Sequence, residues 1–367
     1  APDEANLHTP HGYTNHQPHH HHNNTLPQTQ PTNKPPTPIT TQQTEAGYTN
    51  LPLPTLSSTD IRVLSHNINT LPTSSIAELG ATFDLYHHLS PSIIGLQETN
   101  RNWNCYDSTI GRLKHCIQRR WPGSKLSTAH CNEEAFKSPA QPGGVAQMIL
   151  RQLTARVTNH GNDPYGRFTW HETLLDGTRN LLVVTAYRVS QRRTKGCGPT
   201  TSFMQQWRQL RAKGIANPNP QQQMLDNLAT FLTPHLQAGN EVIIMMDAND
   251  SIDSRPMDEF MDSLDLWDLM ADFLPPTPPT TYHRGSKKID HIIGTQGILF
   301  ATRRAFILPF GPDCPKSDHA ICGIDVSLDL LCGMSEASTN DPTHPSTRNL
   351  WSTDVKAAEK YVELALK

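Results

Sequence analysis

The chain has 367 residues, a formal net charge of −3, 30 prolines and 35% hydrophobic residues. Near-neutral charge argues against a nucleic-acid coat or a membrane-surface binder. No apolar run approaches the roughly 20 residues a bilayer span needs. The sequence starts without Met and without a charged-then-apolar leader, so it reads as a fragment or processed product. The seven cysteines include no C-x-x-C pair, which leaves no zinc-ribbon or thioredoxin pattern and favours a reducing, intracellular setting, the nucleus among them.

Residues 1–59 are rich in Pro, Thr, Gln, Asn and His and carry only Asp3, Glu4, Lys34 and Glu45 as charges. Such a segment buries too little apolar surface to offset ordering entropy and reads as a disordered tail. From residue 60 the texture changes. Short β-branched runs predict strands at Ile61–Leu64, Ile93–Leu96, Val145–Leu150, Leu181–Val184, Val242–Met246, Ile289–Ile293, Ala305–Leu308 and Ile321–Val326. Helical spacing predicts three amphipathic helices between them: one through Ile76, Leu79, Phe83, Tyr86 and Leu89, one through Met224 to Leu236, and one through Met257, Phe260, Met261 and Leu264. Strands mixed with helices over residues 60–330 indicate one large α/β domain. Beyond it, 331–367 reads as a linker and a helical pattern, Val355–Leu366, that runs to the last residue without a stop signal; the expectation is a further domain downstream.

The buried-type strands end in acids, amides and histidine. Ile61–Leu64 runs into Ser65-His66-Asn67-Ile68-Asn69, Ile93–Leu96 into Gln97-Glu98-Thr99-Asn100, Leu181–Val184 into Thr185-Ala186-Tyr187-Arg188, and Val242–Met246 into Asp247-Ala248-Asn249-Asp250. Asp290-His291 and Ser317-Asp318-His319 accompany the late strands. Any one of these is a turn signal. Six in one domain predict a shared rim of oxygen ligands able to hold a hard divalent cation and a phosphate.

These residues, in this order, resemble the endonuclease/exonuclease/phosphatase superfamily, the deoxyribonuclease-I-like fold. Its Leu-Gln-Glu-Thr motif stands at Leu96–Thr99, its Gly-Gly-Val-Ala at Gly143–Ala146, its Tyr-x-Pro partly at Tyr187–Val189, its Asp-x-Asn at Asp247–Asn249, its Ile-Asp-His at Ile289–His291 and its Ser-Asp-His at Ser317–His319. The resemblance implies an α/β (α+β) four-layer sandwich: two mixed β-sheets flanked by helices. It implies Glu98, Asp318 and Asn69 around Mg²⁺, with Mn²⁺ as a substitute. Asp247 would orient or deprotonate the attacking water, held by Asn67 and Asn249. His319 would contact the scissile phosphate with its tautomer set by Asp290, and Tyr187 would donate to a phosphate oxygen. An in-line attack adds charge to an anionic phosphorus, which is why carboxylate, cation and neutral donors are needed together.

Departures from the family pattern fall at Asn69, where a more acidic or Gly-rich sequence is common, at His66 in place of Trp, and at Val189 in place of Pro. Ser190 stands where some nucleases place a phosphate-contacting Asn. Arg188, Arg192, Arg193 and Lys195 form a basic run beyond Tyr187, and Ser190, Arg192, Arg193 and Lys195 are the candidate phosphate contacts. Basic loops at such a rim suit a nucleic-acid backbone, DNA first. The leading reading is a divalent-metal-dependent endonuclease acting on DNA, resembling the endonuclease domain that non-LTR retrotransposons place before a reverse transcriptase. The alternatives are an inositol-polyphosphate or lipid phosphoesterase of the same superfamily and a catalytically inactive binding module.

Overall fold

A computed structural model describes residues 43, 47–104, 109–132, 138–190 and 194–332. The helical pattern at Val355–Leu366 and the phosphate candidates Arg192 and Arg193 lie outside them.

The described strands are β1 (Asp60–Asn67), β2 (Ile93–Gln97), β3 (Lys125–Ala129), β4 (Val145–Ile149), β5 (Val157–Asn162), β6 (Phe168–Leu174), β7 (Asn180–Tyr187), β8 (Glu241–Asp247), β9 (Trp267–Asp268), β10 (Asp290–Gly294), β11 (Thr302–Ile307) and β12 (Cys322–Ser327). They form two six-stranded sheets, in the orders β11-β12-β1-β2-β4-β3 and β5-β6-β7-β8-β10-β9. Both sheets are mixed in the same way: the central pair is parallel, β1 with β2 and β7 with β8, and every other pairing is antiparallel. A parallel pair needs a crossover, and helices supply it. Helix α1 (Ile76–His88) joins β1 to β2; α2 (Thr109–Arg120) follows β2; α3 (Ser202–Ala212) and α4 (Pro220–Gln237) join β7 to β8; α5 (Arg255–Leu264) follows β8.

Alternation along the central strands divides the core into layers. Ile61 and Val63 of β1, with Leu181 and Val183 of β7, pack between the sheets. Leu64 of β1 faces Leu79, Phe83 and Tyr86 of α1. Leu182 and Val184 of β7 face Leu225, Leu228 and Leu232 of α4. Each strand is thus apolar on both faces, which is why it appears in the sequence as a continuous run.

The helix starts are set by local chemistry. The Ser75 side chain accepts from Glu78 N at 3.2 Å to cap α1, and Asn219 does the same for Gln222 N at 3.3 Å ahead of Pro220 in α4. Ile76, placed by its spacing on the apolar face of α1, is 65% exposed instead; it occupies the first turn, ahead of the layer that Leu79 enters.

Residues 47–59, which composition assigns to the tail, lie along the fold. Thr49 N donates at 2.7 Å to the main-chain oxygen of Ile307, the last residue of the edge strand β11, and Tyr48 OH donates to Thr280 O at 2.7 Å. Leu51 and Leu53 pack on the α1 layer, and Pro54 O accepts from Arg62 Nη2 at 3.0 Å. A few apolar residues spaced through a Pro-rich segment suffice when a preformed edge receives them.

Candidate functional site

The C-terminal ends of the two parallel pairs meet at one rim. β1 ends at Asn67 opposite Gln97 of β2; β7 ends at Tyr187 opposite Asp247 of β8; Asp247 also lies opposite Asp290, the first residue of β10. Register therefore brings together residues far apart in sequence.

Asp247 is fully buried, and its carboxylate is saturated with donors. Asn67 Nδ2 donates to Oδ2 at 2.7 Å, Asn249 N to Oδ1 at 2.9 Å and Asn249 Nδ2 to Oδ2 at 3.3 Å. Burial, and then the neighbouring Asp290 charge, push its pKa well above the usual carboxylate range, which makes it a stronger proton acceptor than a solvated carboxylate. His319 Nδ1 lies 2.9 Å from Asp290 Oδ2. A carboxylate only accepts, so Nδ1 carries the proton and Nε2 faces Asn67, 3.4 Å from its Nδ2. Burial would lower the His319 pKa, but Asp290, with Asp247 and Glu98, raises it to about 10. Ser317 Oγ donates to Asn67 O at 2.6 Å and accepts from His319 N at 3.0 Å, tying the β1 end to the loop before β12.

Glu98 stands one residue past β2 at φ +47°, with Asn100 (+52°) in the same turn and Asn69 (+41°) and Thr70 (+92°) in the adjoining loop after β1. Each costs about 1–3 kcal/mol and persists because surrounding bonds over-determine it. Thr70 N donates to Glu98 O at 2.9 Å, Asn100 N to Gly143 O at 2.8 Å, and Gly143 N to Asn100 Oδ1 at 2.7 Å. Gly144 is required here: at φ +79°, a Cβ would stand 2.9 Å from Ala129 O and 3.1 Å from Thr99 Oγ1. The turn aims the Glu98 carboxylate at Tyr187, whose hydroxyl donates to Oε1. Burial raises the Glu98 pKa against the opposing pull of the Tyr187 hydrogen bond. Burial, and then the Glu98 and Asp247 charges, raise the Tyr187 pKa well above its ordinary value, so the phenol stays a donor. Asn69 Nδ2 donates to Asp318 Oδ1 at 2.8 Å, and the exposed Arg284 reaches Asp318 Oδ2 at 3.5 Å.

The nine catalytic and metal candidates thus form one contiguous rim: Asn67, Asp247, Asp290 and His319 at its buried centre with half-buried Asn249 against Asp247, Glu98 with Tyr187 on one side, Asn69 with Asp318 on the other. Ser190 and Lys195 are exposed in the loop after β7, outside this hydrogen-bonded set. Two cations that the sequence places among surface charges are buried: Arg188 (3% exposed) braces the turn after β8, and Lys288 (7%) pairs with Asp268 at 3.2 Å. Residues that the motifs left without a role also act here. Thr281 Oγ1 accepts from Asp290 N at 3.1 Å, and His66 bridges Tyr86 OH (2.6 Å) and His319 O (3.1 Å). For the latter the sequence offers only its place in the polar stretch that follows Ile61–Leu64.

Among the described residues, Asp247, Asp290 and His319 hold ligand-type atoms within 4.8 Å of one another. Most of those atoms are already engaged in the bonds above; Asp290 Oδ1 is buried and has no hydrogen-bond partner. An orphaned buried acceptor is satisfied by an ion or an ordered water. Glu98, Asp318 and the amide oxygens of Asn67 and Asn69 make an all-oxygen set of the kind hard divalent cations take.

Two stacked mixed sheets with helices outside and this rim define the deoxyribonuclease-I-like class of fold. The model of the Endonuclease/Exonuclease/phosphatase family matches residues 64–319, more than half of the chain, and the chain belongs to that family of phosphoester hydrolases. Its nucleases generally use a divalent metal. Similar solved structures include the AP endonuclease LMAP from Leishmania major (13% identity, covering 79% of this chain and 92% of that one, TM-score 0.53). They also include the human Nocturnin catalytic domain with bound sulfate (19%, 74% and 94%, TM-score 0.48) and the Xenopus laevis APE2 catalytic domain (16%, 73% and 92%, TM-score 0.49). At these identities the likeness is one of fold. No curated protein matches the chain. Among the described residues no helix is long and apolar enough to cross a membrane.

Proposed function

We propose that the chain is a divalent-metal-dependent endonuclease that hydrolyses DNA phosphodiester bonds by in-line attack of water. The observation that carries this reading is the donor-saturated, buried Asp247 facing the Asp290–His319 pair across the rim. Asp247 orients the water and takes its proton. Asn67 and Asn249 hold the carboxylate in one rotamer. His319, fixed by Asp290, donates to the phosphate. Glu98, Asp318 and Asn69 hold the cation, Mg²⁺ with Mn²⁺ as a substitute, which when bound offsets charge on the phosphoryl oxygens. Tyr187 keeps the Glu98 carboxylate aimed at that position.

A nucleic-acid substrate is supported by an exposed cation at the rim, by another in the loop after β7, and by two that stand just before the latter in sequence. Arg284 is 73% exposed beside Asp318, Lys195 is exposed after β7, and Arg192 and Arg193 precede Lys195 in the chain. Such contacts give sequence-independent, salt-dependent binding. Nicking of target DNA for a mobile element is the setting we infer from the polar tail ahead of the domain.

The test is nicking of supercoiled plasmid by the whole chain in Mg²⁺, in Mn²⁺ and in EDTA, beside Asp247→Ala. Relaxation that needs metal, weakens with salt and disappears in the variant supports the reading. A folded wild type that leaves plasmid intact but hydrolyses an inositol polyphosphate would replace the substrate; inactivity on both would leave a binding module.

A further inference from the structure

On the face of the second sheet opposite to Asp290 lies a buried ionisable group that the proposed chemistry does not use. Neighbouring residues of a strand face opposite ways, so His291 turns toward the α5 layer while Asp290 turns to the rim. The Lys288 ammonium lies 3.2 Å from Asp268 Oδ2 and 3.0 Å from His291 Nδ1. An ammonium only donates, so Nδ1 accepts and the ring proton sits on Nε2. Nε2 lies 2.9 Å from the main-chain oxygen of Asp250, where a donor belongs. Both hydrogen bonds thus require one and the same neutral tautomer.

Asp250 closes the turn that begins at Asp247 and carries Asn249 at φ +50°. Arg188 holds the same turn from the β7 side: its Nη1 donates to Ala248 O at 3.1 Å, its N to Asp247 O at 2.9 Å, and its O accepts from Asn249 Nδ2 at 2.8 Å. Burying a lysine is expensive, and the Asp268 pair alone adds little that apolar side chains would not. The chain of donors, however, ends on the turn carrying Asp247 rather than in the core.

We propose that Lys288 and His291 are positioning residues, a donor relay from the buried ion pair to Asp250 O that locks the Asp247–Asp250 turn in its left-handed shape. The proposal rests on Asp247 as the water-orienting group. Without the relay the turn relaxes and the carboxylate loses its aim, while substrate contacts elsewhere on the rim persist.

The test compares two variants of the whole chain. His291→Gln keeps an N–H near the Nε2 position; His291→Asn is too short to reach Asp250. Plasmid nicking supplies kcat and KM, thermal melting supplies Tm, and hydrogen exchange of the peptide spanning 246–254 reports the turn without any substrate. For His291→Asn, kcat falls about 10- to 100-fold with KM within about twofold, the size typical for partners that orient a site's ligands. Exchange in the turn accelerates, and Tm matches that of His291→Gln. His291→Gln keeps wild-type exchange and most of kcat, and Lys288→Met follows His291→Asn. Equal kcat and equal exchange in the two His291 variants would overturn the relay. A wild type that cuts no DNA would remove the proposed function instead, and the exchange comparison would still decide this inference.

Discussion

Asp325 offers a stringent test of how the scaffold is held together. It lies on β12 between two arginines, opposite Arg62 on β1 and opposite Arg304 on β11. Its carboxylate accepts from Arg62 Nε at 2.7 Å, Arg62 Nη2 at 2.9 Å and Arg304 Nη1 at 2.8 Å, and all three side chains are less than a tenth exposed. Asp325→Asn keeps the shape but leaves two buried guanidinium groups without a counter-charge. Arg62 would keep the carbonyls of Leu89 and Pro54, at 2.8 and 3.0 Å, while the single amide oxygen left at position 325 faces three guanidinium donors and the new NH2 faces donors instead of accepting from them. Breaking a buried pair in this way costs about 3–5 kcal/mol. A single pair at 4 Å in an effective dielectric of 20 is worth about 4 kcal/mol, the same order. With a urea m-value of roughly 3 kcal/mol/M for a domain of this size, the midpoint should drop by about 1–1.7 M. Activity per folded molecule should hold below the transition, because Asp325 pairs at the opposite end of β1 from Asn67. Replacing the whole group, Arg62→Met with Asp325→Leu and Arg304→Leu, should recover most of the loss, since well-packed apolar triads often match buried ionic ones. A midpoint shift below about 0.3 M, or a triple variant less stable than Asp325→Asn, would refute the reasoning.

Three further outcomes follow from the site and its surroundings. Asp290→Asn should lower kcat by about 10²–10⁴-fold with little change in KM, because His319 loses the partner that fixes its ring; steady-state nicking kinetics check this. Tyr187→Phe removes one hydrogen bond to a carboxylate, worth about 1.5–3 kcal/mol, so kcat/KM should fall about ten- to a hundred-fold; an unchanged value would mean that Glu98 is held by other contacts. Burial pushes His171 down to about 3, and its Nδ1 lies 2.6 Å from Gln147 Oε1. The unfolded chain therefore takes up a proton near pH 6.5 that the native state refuses. This contribution to stability is fully present above that pH and lost as pH falls from 6.5 toward 3, by up to about 1.4 kcal/mol per pH unit. Urea midpoints measured from pH 7 to 5 should fall less steeply in His171→Gln; parallel curves for the two proteins would count against it.

The sequence made the central strands legible because they are apolar on both faces, and β1, β2, β7 and β8 lie where their runs predict. It did not reveal β5, whose residues are mostly exposed at a sheet edge, nor β9, only two residues long. The residue types at the rim were legible for the same reason that the strands were: acids and amides at the end of a buried run have no core to enter. Their pairings were not. That Tyr187 bonds Glu98 and Asn69 bonds Asp318 depends on how the two sheets are stacked, which no local pattern encodes. Arg188 and Lys288 mark the opposite limit. In a run of polar residues a cation reads as solvated, and only the fold turns these two inward onto carbonyls and carboxylates.

The segment at residues 47–59 has a practical consequence for the β11 edge. Thr49 N occupies the Ile307 carbonyl, and Leu51 and Leu53 roof part of the α1 layer. A fragment cut at residue 60, where composition alone would place the domain start, frees the Ile307 carbonyl at the end of an already open edge strand and bares fresh apolar surface, a combination that favours strand addition between molecules. Such a fragment should self-associate with time and concentration where a fragment beginning near residue 43 stays dispersed.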